Sequence, residues 1–373
     1  MSNLSTVPGL LLAFSLGLPA HGALAVQREC VGYYTIDMPG HFEYALSRKT
    51  FPAEAEFSNG LTAWGAGAGL KLEDGSSAVL SITQRSTDDD LQKLLAFKND
   101  EPLRKKNELL KLIEDIDEQK AIVDPTGENR KLMVQSAAKV VFYEQVPGTH
   151  AFVWPATDRE NVFALTNDHI LIGRSLVVGD SRTRVKDFVA QFKPRSAYEL
   201  PLNGDACIPF FRVLGDHALD SIDVSMQLID RPDIVISLQE SDASTEVEDP
   251  KKFIVNATQP GRTFVGSVEA KPLDRIRPTH ALRIDGREGL GAFAQVRREG
   301  ALANTVDKDL DWAFIGYVPG QAGSKPGQSY DITLKVERFG RFAREPMTEA
   351  EFRALVERIA QGIAHRPDPA SPR

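Results

Sequence analysis

The sequence runs twice through the same outline, and this repetition constrains the fold more than any other feature. Each half begins at a cysteine, Cys30 or Cys207, continues through alternating apolar and polar runs, and ends in an amphipathic helix followed by a proline. At 373 residues the chain also exceeds what one hydrophobic core usually supports. We therefore expect an α+β fold of two related domains, residues 26–200 and 201–367, each a mainly antiparallel sheet with helices packed on one face.

The predicted helices differ in how clearly they are marked. The helix that closes the second half begins with a capping box, Thr348 and Glu351, and continues with a regular apolar stripe. Residues 88–120 predict two successive amphipathic helices, with Pro102 in the first turn of the second one. Their outer face carries many charges of both signs, which fits either a solvated face or a partner-binding face. After Gly127 the pattern returns to strands, beginning with residues 139–143.

The N-terminus predicts export. Residues 8–19 form an apolar stretch that is too short to span a bilayer, and Ala23-Leu24-Ala25 follows as a small-x-small cleavage site. We expect residues 1–25 to be a cleaved signal peptide and the mature protein to be soluble in the periplasm. Residues 1–9 contain no Lys or Arg, although the start of a signal peptide normally carries a positive charge. The alternative is therefore a misassigned start codon or a buried apolar arm. In an oxidising compartment Cys30 and Cys207 form either a disulfide or two separate buried thiols.

No catalytic constellation is evident. The sequence has no G-x-S-x-G, and Gly173-Arg174-Ser175 lacks the second glycine; Asp168 and His169 are adjacent in sequence and do not form a triad with that serine. There is no H-E-x-x-H or C-x-x-C metal motif. The triple-glycine stretch 65–69 is not followed by a capped helix, so we interpret it as a strand edge or loop and not as a phosphate loop. We predict no catalytic, metal-binding or cofactor-binding residues.

Charge argues against one class of partner. The 44 basic residues are outnumbered by 52 acidic ones, and no basic run alternates with aromatic residues. Nucleic acid is therefore discounted as a partner, and stable membrane insertion is not expected once the signal peptide is removed. The class that these observations favour is a non-catalytic binding protein.

Three segments resemble those of a known family. Glu29 to Pro39, ECVGYYTIDMP, resembles the opening C-x-G-R-Y-x-I-D-L-P motif of the periplasmic immunity proteins that neutralise type VI secretion lipase effectors, with Tyr33 in place of the arginine. The run ACIPFF around Cys207 is similar to the start of that family's C-terminal domain, and residues 346–367 are similar to its closing helix and R-P end. The resemblance implies a two-domain, claw-like protein that grips a cognate phospholipase effector and needs no catalytic residue.

The sequence is also compatible with two alternatives to an immunity protein. One is a periplasmic ligand- or lipid-binding envelope protein, with an apolar pocket between its domains. The other is an unrecognised hydrolase. For the leading hypothesis, we expect the charged segment 88–120 and the loops that face the interdomain cleft to contact the effector.

Overall fold

The computed structural model describes residues 26–48, 55–63, 66–71, 77–118, 124, 126–154, 159–177, 181–201, 204–215, 219–242, 248–258, 267–272, 279–298, 311–321 and 329–366. The predicted signal peptide lies outside the described residues. The helices are α1 (Asp88–Glu118), α2 (Glu128–Ala138), α3 (Ser181–Ala190), α4 (Pro250–Ala257) and α5 (Glu349–Gln361). Within these ranges no helix combines the length and apolarity needed to cross a membrane.

The strands of the first half are β1 (Gln27–Val31), β2 (Tyr34–Met38), β3 (Phe42–Tyr44), β4 (Leu46–Ser47), β5 (Ala55–Glu56), β6 (Thr62–Ala63), β7 (Ala66–Lys71), β8 (Ser77–Arg85), β9 (Glu144–Gln145), β10 (Ala151–Trp154), β11 (Arg159–Thr166), β12 (His169–Val177) and β13 (Phe192–Pro194). Those of the second half are β14 (Ala206–Ile208), β15 (Phe211–Val213), β16 (Leu219–Leu228), β17 (Ile234–Asp242), β18 (Ser267–Pro272), β19 (His280–Ile284), β20 (Arg287–Arg298), β21 (Asp311–Val318), β22 (Tyr330–Arg338) and β23 (Ala364–His365).

One long antiparallel sheet passes through both halves. Its strands lie in the order β9-β10-β11-β12-β8-β7-β16-β17-β22-β21-β20. Strand β3 pairs with β16 beside β7, and β18 and β19 share the outer edge of β20. The predicted α+β class with mainly antiparallel strands is confirmed.

The two halves have the same strand order. In the first half, β7 and β8 are followed by the meander β10-β11-β12, whose last strand returns to pair with β8. In the second half, β16 and β17 are followed by β20-β21-β22, whose last strand returns to pair with β17. The halves join where β7 pairs with β16. Gly69 lies in this joint, and a Cβ there would sit 2.7 Å from the Ser221 hydroxyl, so the glycine-rich stretch serves close strand packing.

The short end strands are exchanged between the halves. The opening hairpin of the first half, β1-β2, is extended by β23 from the end of the second half. The opening hairpin of the second half, β14-β15, is extended by β13 from the end of the first half. Each three-stranded sheet therefore contains strands from both halves. The boundary at residue 200 falls between β13 and β14 and stays a prediction.

The core is continuous across the halves. One cluster of buried side chains runs from Leu80 and Leu171 in the first half to Leu334 and Phe352 in the second. Helix α5 begins with the predicted capping box, since the Thr348 side chain accepts from the Glu351 amide and the Glu351 side chain accepts from the Thr348 amide. Its buried stripe packs on the sheet with Phe352 against Trp312.

The opposite face of the second-half sheet is also covered. Residues alternate along β21, so Trp312 and Phe314 face α5 while Ala313 and Ile315 pack with Ile254 of α4. The run from Trp312 to Val318 is apolar at every position, and such a strand needs cover on both sides. The second half thus places helices on both faces, where the sequence had suggested one.

The segment after β8 differs from the prediction. Residues 88–118 form one helix of 31 residues that continues through Pro102, not two helices. Pro102 removes a single bond to the Lys98 carbonyl, and the surrounding Leu, Lys and Glu residues favour helix strongly enough to continue on both sides. A second helix, α2, follows Gly127, where the pattern had indicated a return to strands. The predicted strand at residues 139–143 is wrong, because these residues are not in a strand and the next strand is the two-residue β9.

Candidate partner-binding site

The three segments that resemble the immunity-protein motifs meet at one buried place, called here the junction. Gly32 and Cys207 exchange two backbone hydrogen bonds of 2.7 and 2.8 Å, which link hairpin β1-β2 to hairpin β14-β15. Of the two alternatives left open for the cysteines, the structure contains the disulfide between Cys30 and Cys207. The bond therefore ties the two opening hairpins together.

Arg195, directly after β13, holds one side of the junction. Its Nη1 lies 2.6 Å from Glu29 Oε1, and both side chains are fully buried. Its Nη2 donates to the Cys30 carbonyl at 3.0 Å and to the Tyr44 hydroxyl at 3.2 Å. A buried ion pair of this kind depends on such additional hydrogen bonds, because each charge has lost its hydration. Arg195 thus fixes the end of the first half against the start of the chain.

Arg366, directly after β23, holds the other side in the same way. Its amide donates to the Tyr33 carbonyl at 2.9 Å, as the Arg195 amide donates to Phe210 O at 2.9 Å. Its Nη2 donates to the carbonyls of Gly32 and Asp205. Burial lowers the pKa of Arg366. The two arginines occupy equivalent positions in the repeated halves.

A buried carboxyl group completes the junction. Glu240 accepts a hydrogen bond from the Tyr33 amide through Oε2 at 3.3 Å, and its Oε1 has no hydrogen-bond partner among the described residues. Burial raises the pKa of Glu240 to about 8, while the Tyr33 amide and the charges of Arg366 and Arg287 act in the opposite direction. Gly32 has a φ of 55°, and a Cβ there would overlap the Glu240 carboxylate, so the motif glycine is sterically required.

The described side chains that hold the junction together are shielded from solvent. Glu29, Arg195 and Glu240 are all buried. The sequence prediction missed Arg195 and Glu240 as its members, although the helix-then-proline end of each half was a signal for the two arginines. The three segments that resemble the family motifs are therefore the ones that hold the two halves together.

The histidine considered for a triad is a core residue. His169 is 3% exposed, its Nδ1 lies 2.7 Å from the Thr83 carbonyl, and its ring stacks on Phe210 at 4.3 Å. Burial lowers the pKa of His169, which favours the neutral ring. Asp168 lies in the β11–β12 turn with a φ of 59°. Throughout the described ranges, no group of three His, Cys, Asp or Glu side chains is placed to hold a metal ion.

A helical hairpin stands out from this scaffold. We use this name for α1, α2 and the segment 139–143. Helix α1 begins with a reciprocal cap between Thr87 and Asp90, and its first turns pack Leu91 and Leu94 into a cluster on β10, β11 and β12. Further along, the Asn99 side chain makes two hydrogen bonds, of 2.7 and 3.1 Å, to the backbone of Tyr143. The base of the hairpin is thus firmly anchored.

The outer part of the hairpin is thinly packed. Beyond residue 100, Ile116 is the buried residue of α1, and Ala137 is that of α2. An ion pair between Asp117 and Arg130, with atoms 2.6 Å apart, links the far ends of the helices. Seven of the twelve large apolar side chains exposed in the described ranges lie on this hairpin: Phe97, Leu103, Leu110, Leu112, Leu132, Val134 and Val141. Exposed apolar side chains concentrated on one part of a protein make that part a candidate interaction surface.

A groove runs between the two helices. It has a volume of about 420 Å³ and is lined by Lys106, Leu110, Ile113, Val134, Ala137, Ala138, Val140 and Phe142. Leu110 and Val134 are 44% and 41% exposed, so the groove is open to solvent. Among the described residues that line the groove, Lys106 is the charged one, and its ammonium group lies 5.5 Å from the centre of the Phe142 ring.

The hairpin is also where the two halves differ. At the corresponding point of the second half, between β17 and β18, the described helix is α4, which has eight residues and packs flat on the sheet. The repeated scaffold therefore does not require a 31-residue helix at this point. The sequence predicted the helical character of segment 88–120, but it missed α2 and hence the groove. Val134, Ala137 and Ala138 stand at helical spacing, which was the signal that could have revealed it.

No family model matches the sequence, and no curated protein matches it. Among solved structures, the chain is similar to the immunity protein TplEi of the type VI secretion system (T6SS) from Pseudomonas aeruginosa. In the structure of its complex with an "L" peptide, the TplEi chain is 14% identical to the present chain. The match covers 92% of the present chain and 99% of the TplEi chain, with a TM-score of 0.47. The apo structure of TplEi is 14% identical and covers 94% and 99%, with a TM-score of 0.48. A chain of the Tle4–Tli4 complex is 13% identical and covers 93% and 98%, with a TM-score of 0.47. The similarity to each of these structures extends over more than nine-tenths of the present chain.

Proposed function

We propose that this protein is an immunity protein that binds a cognate type VI secretion phospholipase effector in the periplasm and inhibits it, so that the cell is not poisoned by its own toxin. One observation carries the proposal. The three motif-like segments, which lie far apart in sequence, converge on the junction through the Cys30–Cys207 disulfide and the hydrogen bonds of Arg366. A resemblance that rested on unrelated short matches would not assemble into one interlocked structure.

The mechanism is inhibition by contact. The effector must reach a lipid surface to act, and a protein that covers the entrance of its active site prevents this without any chemistry of its own. Standard inhibitory interfaces bury about 1,600 Å² in total. The exposed apolar side chains of the helical hairpin supply a centre for such an interface, since each fully buried Leu or Val contributes about 1.5–3 kcal/mol.

The disulfide fits the proposed compartment. Disulfides form and persist in the periplasm and are rare in the cytosol, where thiols are kept reduced. Cys30 and Cys207 account for all the cysteines of the chain, so no third thiol competes for pairing. Export of the chain by residues 1–25 would bring it to the oxidising compartment in which the junction is completed.

The experiment is co-purification of the mature chain with a candidate phospholipase effector from the same cell, followed by measurement of lipase activity. We expect a stable complex and loss of activity at equimolar ratio. A second arm directs the lipase to the periplasm of a host cell and compares the full chain with one that lacks residues 1–25. Only the full chain should protect the cell. Binding without inhibition, or protection by the truncated chain, would contradict the proposal.

A further inference from the structure

The groove of the helical hairpin has the chemistry of a helix-binding site. On α1, Lys106, Leu110 and Ile113 stand at i, i+4 and i+7, and on α2, Val134, Ala137 and Ala138 stand at i, i+3 and i+4. Each set forms a ridge along one side of its helix. The two small alanines lie between larger side chains and allow another backbone to approach closely. A third helix laid along these ridges would complete a core that two helices leave open.

The charge around the groove indicates the sign of the occupant. The last turns of α1 carry Glu114, Asp115, Asp117 and Glu118, and no basic residue stands in its last turn. The partial negative charge at the end of α1 is offset by the partial positive charge at the start of α2, so the side chains decide the sign at this end. Arg130 pairs with Asp117 and offsets one of the four. The start of α2 lies at the same end and adds Lys131, but Asp124 and Glu128 lie there too. The described charges at this end of the hairpin are therefore mainly negative.

We propose that the groove of the helical hairpin binds a basic amphipathic helix of the effector, with the apolar face of that helix in the groove and its Lys or Arg residues beside the acidic end of α1. The inference rests on the proposed function, which supplies the partner. A small molecule is a poorer fit, because Lys106 is the one polar side chain among the described lining residues that could orient it. A second copy of this chain is disfavoured, because ten acidic and six basic residues on each α1 would repel.

The first test needs no effector. The probe is an 18-residue peptide of Leu and Lys with one apolar face at helical period, and its binding to the mature chain is followed by fluorescence anisotropy. We expect the peptide to bind and the double variant Leu110→Glu/Val134→Glu to weaken binding by roughly tenfold or more. Leu112→Glu is the matched control, because Leu112 is similarly exposed on α1 but does not line the groove. A peptide with Glu in place of Lys should not bind.

The second test uses the effector with the same three proteins. We expect wild type and Leu112→Glu to bind it alike, and Leu110→Glu/Val134→Glu to lose roughly tenfold or more in affinity while keeping the wild-type circular dichroism spectrum. Glu114→Lys/Asp115→Lys should slow association, with a smaller effect at high salt. Sedimentation of the free chain should show a monomer that stays unchanged in the groove variant.

The outcomes separate the two proposals. If wild type binds and inhibits the effector but the groove variant does so equally well, the groove proposal is overturned and the function stands. If the peptide binds the groove but wild type does not bind the effector, the proposed function is overturned together with this occupant. If the peptide does not bind wild type, or if the groove variant turns a dimer into a monomer, the groove does not bind a basic helix of a foreign protein.

Discussion

Glu240 is the residue whose titration most directly reports on the junction. Burial raises the pKa of this group to about 8, from an ordinary value of 4.5. A raised pKa means that the folded state binds the proton more tightly than the unfolded chain does. The stability that this provides is fully present below pH about 4.5 and is lost as the pH rises through about 8.

We expect Glu240→Gln to remove this dependence. The amide keeps an oxygen for the Tyr33 N–H but cannot ionise. Between about pH 4.5 and 8, the difference in unfolding free energy between the variant and wild type should grow in favour of the variant, by up to about 1.4 kcal/mol per pH unit. Urea denaturation at several pH values measures it. Glu128→Gln, at an exposed position on α2, is the control, and the pH dependence of its unfolding free energy should match that of wild type. If Glu240→Gln also shows the wild-type pH dependence, Glu240 is not held protonated in the folded state.

Sequence reasoning at this scale succeeded where the signal was local. The Thr348 and Glu351 cap depends on residues three positions apart, and the pattern alone defines it. Arg195 and Glu29 are 166 positions apart, and Glu240 and Tyr33 are 207 apart. Their partnership depends on how the two halves pack together, which no spacing in one sequence expresses. Burial of ionised groups is also rare enough that an Arg is normally assigned to the surface.

The cap of α5 provides a prediction for a single element. Thr348→Ala leaves the Glu351 amide without its side-chain acceptor at the first turn, and the reciprocal bond of the box loses its fixed geometry. Because Phe352 and Ile359 of this helix are fully buried on the sheet, fraying of the first turn is transmitted to the core. We expect a loss of about 1 kcal/mol in unfolding free energy. Thr348→Ser retains the hydroxyl and should lose much less; equal losses in the two variants would mean that the hydroxyl does not cap the helix.

The elements differ in how far the sequence could define them. Alternation and apolar stripes predicted most of the sheet and helix α5, since those patterns face a core. The helical hairpin was predicted less well because its outer part has little core to face. Pro102 suggested a helix start, and only the structure shows that α1 continues through it. The apolar residues of α2 are mostly exposed, so they do not form the regular stripe that a helix packed on a core shows.

At the scale of the whole molecule, the two halves combine a repeated strand order with exchanged ends. Two independent domains would each complete their own sheets, yet here β13 completes the hairpin of the second half and β23 that of the first. The Cys30–Cys207 disulfide and the β7–β16 pairing join the same two halves. The sequence predicted the repeat from its cysteines and closing helices, but it could not show the exchange, because strand partners are set by tertiary packing.

The exchange predicts that neither half folds alone. Residues 26–200 without the second half would leave β2 without β23, β7 without β16, and the buried Gly32 backbone without Cys207. Unpaired buried backbone groups cost roughly 1–3 kcal/mol each, which is large against the 5–15 kcal/mol that stabilises a typical domain. We expect residues 26–200 and residues 201–367, expressed separately, to lack a cooperative thermal transition in circular dichroism. Produced together in the periplasm as two chains, they should associate through the disulfide and recover one transition. A cooperative transition in residues 26–200 alone would contradict this prediction. It would mean that each half folds by itself and that the exchanged strands are not needed for folding.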